Sequence, residues 1–182
     1  MFEATALLTV GPLVLGALVL SLIAAGWDLA SRRIPNLLTV TGMALGLAGH
    51  LALEREAGLA WSLAGLVVGL GLLILPCVLG GMGGGDLKLM GALGALVGPA
   101  SVFEIALVSA VAGGVLALGV ALHRRVARAA FRQAFAALGW KTREPAAPLV
   151  AAPPARGALG TIPYGVAIGA GTWLCLLGHG PF

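Results

Sequence analysis

The sequence predicts an all-α, polytopic membrane helical bundle of about six transmembrane helices. Three observations carry this. Of 182 residues, 59% are hydrophobic and 10% are charged, and the mean hydropathy is +1.03. A soluble domain carries roughly 25% charged residues to solvate its surface. All but one of the apolar runs approach or exceed the ~20 residues needed to cross a bilayer within a helix that satisfies its own backbone. The loops between them alternate between positive and neutral or acidic, as successive crossings require.

The runs follow in order along one membrane domain. The first covers about 4–27 and stops at Asp28, before the polar turn Ser31-Arg32-Arg33-Ile34-Pro35-Asn36. The second, about 37–53, ends at Glu54-Arg55-Glu56. The third, about 59–79, leads into Gly80-Gly81-Met82-Gly83-Gly84-Gly85-Asp86-Leu87-Lys88. The fourth, about 87–97, ends at Gly98-Pro99. At 1.5 Å per residue, about twelve helical residues rise only ~18 Å against a core of ~30 Å. It is either a helix packed within the bundle or a re-entrant segment. The fifth and sixth runs cover about 102–122 and 161–177.

Positive charge orients the bundle. Arg32 and Arg33 lie in the first loop and Lys88 in the third, and seven of the eleven Lys and Arg fall between Arg124 and Arg156. The first, third and fifth loops are therefore expected on the cytoplasmic side, with both termini outside. The N-terminal Met-Phe-Glu lacks the positive start of a cleavable signal, so the first run is expected to remain as an anchor.

In the segment 123–160, Ala127, Phe131, Ala134, Phe135 and Leu138 recur at helical spacing, with Arg124, Arg125, Arg128 and Arg132 at other positions. That pattern fits a basic amphipathic helix on the anionic inner leaflet, followed by an Ala/Pro-rich linker. The basic balance beside membrane spans argues for the lipid bilayer as partner and against nucleic acid. Cys77 and Cys175 fall inside apolar runs, and His50, His123 and His179 are scattered, so neither a disulfide framework nor a metal site is indicated. No cofactor is expected.

Asp28 and Asp86 are the only aspartates in the chain. The predicted topology puts both at the cytoplasmic face, Asp28 ending the first span and Asp86 starting the fourth. A charge at membrane depth is costly and marks a functional site. Two carboxylates held close share a proton. The ionised one activates water, and the protonated one polarises a carbonyl. Gly83, Gly84 and Gly85 leave room for an extended peptide beside Asp86. Gly80 and Gly85 have phosphate-loop spacing, but Asp86 stands where that loop needs lysine. The bland alternative is that both aspartates cap helix ends in the headgroup region.

The elements Gly83-Gly84-Gly85-Asp86-Leu87-Lys88, Asp28-Leu29-Ala30-Ser31-Arg32-Arg33-Ile34-Pro35-Asn36 and Ile162-Pro163-Tyr164-Gly165 resemble those of the type IV prepilin peptidases, membrane aspartyl peptidases with a Gly-x-Gly-Asp signature. The resemblance covers nearly the whole chain. It implies Asp28 and Asp86 as the catalytic pair and Gly83 and Gly85 as shaping the catalytic loop. Lys88, Pro35 and Asn36 are implied as supporting residues, and Gly84 completes the loop. The implied substrate is a prepilin or pseudopilin, with a short basic leader followed by a hydrophobic helix. It is cut at the cytoplasmic face of a bacterial inner membrane, after a glycine in many family substrates. The larger members carry paired Cys-x-x-Cys motifs linked to N-methylation. This chain has none, and so looks like the short, peptidase-only branch similar to tight-adherence (Flp-type) pilus enzymes. The competing readings are a small ion-coupled transporter, for which no inverted repeat is evident, and a non-catalytic pilus-assembly subunit.

Overall fold

The structure, a computed structural model, describes residues 2–79, 82–123 and 164–178. Every regular element among them is a helix: α1 Phe2–Ser31, α2 Asn36–Val78, α3 Gly84–His123 and α4 Tyr164–Gly178. Three stretches are long and apolar enough to cross a membrane, Gly11–Ser31, Asn36–Val78 and Gly84–Gly119. The chain forms two compact units, 1–113 with 163–182, and 114–162. In the second, α3 continues as helix to His123. The expected basic amphipathic helix and linker otherwise lie outside the described residues.

Two of the helices are broken inside. Arg55 has φ 56 and ψ −137, which ends one helical rod and starts another within α2. Gly98 does the same within α3 at φ 82, a left-handed value that glycine tolerates and other residues avoid. The breaks fall in the short turns Glu54–Glu56 and Gly98–Pro99 that separate the hydropathic runs. Each is a single-residue reversal.

Close contacts at glycines set the order of the rods. Leu20 of α1 lies on Gly42, and Leu13 on Gly49, so α1 and 36–54 run antiparallel. Gly42 faces Ala92 and Gly46 faces Ala95, so 36–54 and 84–97 run in the same direction. Gly65 meets Gly94 and Gly69 meets Met90, so 56–78 returns in the opposite one. Beyond Gly98 the chain descends again. Gly171 of α4 rests on Ile105 and Ser109, and Tyr164 on Gly113, so α4 is antiparallel to 99–113. Gly169 and Gly165 of α4 sit against Ala25 and Asp28 of α1.

The rod 84–97 is the centre of this arrangement. Every residue from Leu89 to Leu96 is buried. The surrounding helices instead turn large apolar side chains outward, among them Leu15, Leu22, Leu45, Val67, Ile74 and Val111. A surface of this kind suits lipid. The short fourth run is thus the protein-facing core, flanked along its length by both halves of α2.

The break at Gly98 leaves polar groups to satisfy. Pro99 has no N–H, so the Ala95 carbonyl lacks its helical donor. Ser62 Oγ donates to it at 2.7 Å. The next carbonyl, Leu96, hydrogen-bonds His50 Nε2 at 3.1 Å, which makes Nε2 the protonated nitrogen because a carbonyl can only accept. These buried side chains hold the end of the bundle where 36–54 meets 56–78.

Candidate active site

The opposite end gathers the C-terminal end of α1 and the starts of α2, α3 and α4. Asp28 lies in the last turn of α1 and is 7% exposed. Its Oδ2 accepts a hydrogen bond at 2.8 Å from the backbone N–H of Gly165, at the start of α4. That N–H is an orphan donor of a helix N-terminus, and an acid is its natural acceptor. The approach requires glycine, since a Cβ on Gly165 would lie 2.9 Å from both Cβ and Oδ2 of Asp28.

Asp86 is half-buried in the first turn of α3. Its backbone N–H donates to the Gly83 carbonyl at 3.1 Å, and its carboxylate accepts the Gly83 N–H in return. This reciprocal pairing is the logic of a capping box, with a glycine as cap. The charge of Asp28 acts on Asp86, that of Arg32 on Asp28, and that of Asp86 on the Tyr164 phenol. The two aspartates, from helices far apart in sequence, therefore share one electrostatic environment.

The remaining residues singled out from the sequence gather at the same end. Pro35, with φ −61 and ψ 133, stands immediately before α2, and its carbonyl accepts from Leu38 at 3.1 Å and Thr39 at 3.4 Å. Asn36 Oδ1 accepts a hydrogen bond from Lys88 Nζ at 2.9 Å, which ties the start of α2 to the first turns of α3. Ile34 packs where a Cβ on Gly85 would sit, 3.2 Å from its own Cβ. The turn after α1 and the glycine loop before α3 are thus held together by Ile34–Gly85 and Asn36–Lys88.

The three glycines differ. A Cβ on Gly83 would stand 3.3 Å from Asp86 Oδ2 and one on Gly85 would press on Ile34, whereas one on Gly84 meets nothing within 4 Å. Gly85→Ala is expected to lower the thermal stability of the detergent-purified protein by about 1 kcal/mol through that crowding. Gly84→Ala should leave it unchanged or raise it by up to about 0.5 kcal/mol, by restricting the unfolded chain. Thermal unfolding of the two variants checks both.

Among the described residues, no group of three or more His, Cys, Asp or Glu comes together as a metal cage. The arrangement is one of two acids, backbone donors and an adjacent phenol.

The comparison with known families decides what kind of protein this is. The model of the type IV leader peptidase family matches residues 15–118. The chain belongs to that family. No curated protein and no solved structure gives a match. A type IV leader peptidase is a peptidase, and the apolar helices make this one a membrane protein. The match spans Asp28, the Ile34–Asn36 turn and the Gly83–Lys88 loop, and ends before α4. Tyr164 and Gly165, which open the helix whose backbone N–H meets Asp28, were visible in the sequence only as the start of a last helix. Their signal is the pairing of a lone tyrosine with a glycine, on the polar side of an apolar run.

Proposed function

We propose that this chain is an aspartyl endopeptidase that removes leader peptides from prepilins or pilin-like proteins at the cytoplasmic face of a bacterial inner membrane. The observation that carries the reading is the meeting of Asp28 and Asp86 at one end of the bundle, within reach of each other's charge, in a member of the leader peptidase family. In this reading the six helical rods are six membrane crossings with both termini outside. Supporting this orientation, Arg32, Arg33 and Lys88 accompany the aspartates, while Glu54, Arg55 and Glu56 mark the first internal turn.

The chemistry follows from two acids holding one proton. The ionised carboxylate takes a proton from water as the water oxygen bonds to the scissile carbonyl carbon. The protonated carboxyl gives its proton to the carbonyl oxygen, and a tetrahedral diol forms. On collapse the C–N bond breaks, and the leaving nitrogen takes the proton that came from water. A diol hydroxyl returns a proton to the second carboxylate, which restores the pair. Lys88 and Asn36 brace the loop and carry no proton in this scheme. The absence of Cys-x-x-Cys motifs supports a peptidase without N-methylation.

Co-expression with a precursor bearing a short basic leader and a hydrophobic helix tests the reading. Gel mobility and mass spectrometry of the precursor should show the leader lost and a new N-terminus at the start of the hydrophobic segment. A precursor left intact by well-expressed, membrane-inserted protein would argue against a pilin-type substrate.

A further inference from the structure

The start of α4 brings more than the Gly165 N–H to the aspartates. Tyr164, the neighbouring residue, is half-buried. Its ring edge lies against Gly113 of α3, where a Cβ would come 2.5 Å from Cε2 and 3.4 Å from Cζ. The ring is therefore seated by a glycine contact, and Gly165 ties the same turn of α4 to Asp28 at 2.8 Å. Tyr164 thus packs on the α3 rod 99–113, in the turn of α4 that meets Asp28, with Asp86 close enough for its charge to act on the phenol.

Packing alone does not account for a tyrosine here. A phenylalanine ring would fill the space over Gly113 equally well, so the hydroxyl serves no packing role there. Among the described residues, the Tyr164 hydroxyl makes no hydrogen bond. A hydroxyl donor in the turn of α4 that binds Asp28, at a site where a peptide carbonyl must gain negative charge, is the type of group an oxyanion donor requires.

We propose that Tyr164 is a further catalytic residue, whose hydroxyl donates a hydrogen bond to the scissile carbonyl oxygen as water adds to the carbon. This rests on the aspartyl-pair reading above. No proton leaves the phenol. The hydroxyl stabilises the developing charge on oxygen until the protonated aspartate delivers its proton, and is released when the C–N bond breaks. The aspartates carry every proton transfer, and Tyr164 supplies only the hydrogen bond. Removal of the hydroxyl is therefore expected to slow turnover and leave substrate binding intact.

The test uses the purified full-length protein in detergent and a separately purified leader-bearing precursor, with initial rates measured for wild type, Tyr164→Phe and Asp86→Asn. Tyr164→Phe is expected to keep the thermal transition of wild type, lower kcat roughly 100-fold and leave KM within about twofold, while Asp86→Asn gives no cleavage. A Tyr164→Phe enzyme with wild-type kcat overturns the inference. So does one with a raised KM and unchanged kcat. If Asp86→Asn cleaves normally, the aspartyl-pair reading falls, and the role given to Tyr164 falls with it.

A second arm keeps the inference decidable if the Phe variant does not fold. Tyr164 is the only tyrosine in the chain, so global incorporation of 3,5-difluorotyrosine alters this hydroxyl alone. Its phenol ionises at markedly lower pH, and Asp28 and Asp86 are unchanged. A more acidic hydroxyl donates a stronger hydrogen bond, so kcat at a pH where this phenol stays protonated should change, and an unchanged kcat contradicts the proposal.

Discussion

Asp86→Asn is expected to lower precursor cleavage by roughly 10³-fold or more, and Asp28→Asn to do the same. Asparagine is close to aspartate in size, so the fold should survive each change. In the Asp28 variant, the amide oxygen can still accept the Gly165 N–H. In the Asp86 variant, it can still accept that of Gly83. Each variant loses only the ability to carry a proton or a negative charge. A pair that divides base and acid between two carboxyls cannot work with one. Rates measured on purified protein, at matched membrane levels, check this. Full activity in either variant would reduce that aspartate to a helix-end residue.

The second large effect is on the fold. Gly94→Val is expected to destabilise the protein by more than about 3 kcal/mol, the upper part of the range for overpacking a core. The Cβ added at Gly94 would run into the backbone carbonyl of Gly65, and one added at Gly65 into that of Gly94. Rotating a side chain cannot relieve a clash between two main chains. The rods 56–78 and 84–97 have to move apart, and 84–97 is the buried centre of the bundle and carries Asp86 at its start. In a membrane, where water drives no helix association, such small-residue contacts are what allow helices to pack closely. Thermal unfolding in detergent should show a much lower transition, or no folded protein at all.

Much of this was legible in the sequence, for identifiable reasons. Asp28 and Asp86 stand out because they are the only aspartates in a chain that is 59% hydrophobic. Counting apolar runs between them puts both at one end of a bundle, and the contacts of Gly85 with Ile34 and of Lys88 with Asn36 agree with that. Hydropathy could not tell lipid from protein as the surroundings of an apolar helix. The run 87–97 therefore read as a doubtful span, although it is the most buried segment. Its brevity is explained by Gly98 and Pro99, whose freed carbonyls are met by Ser62 and His50. That arrangement depends on helices brought together only by folding. The same holds for Gly165, which meets Asp28 across 137 positions of sequence. A chain with 29 glycines gives no local reason to single it out.

The central claim is that Asp28 and Asp86 act as one unit, and a double-mutant cycle tests it most directly. Cleavage rates are compared for wild type, Asp28→Asn, Asp86→Asn and the double variant, with an assay sensitive enough to read the residual rates. Residues that share one step are grossly non-additive. The account predicts that the double variant is no slower than the worse single one. If the two losses multiply instead, the aspartates act independently, and the shared-proton mechanism is contradicted.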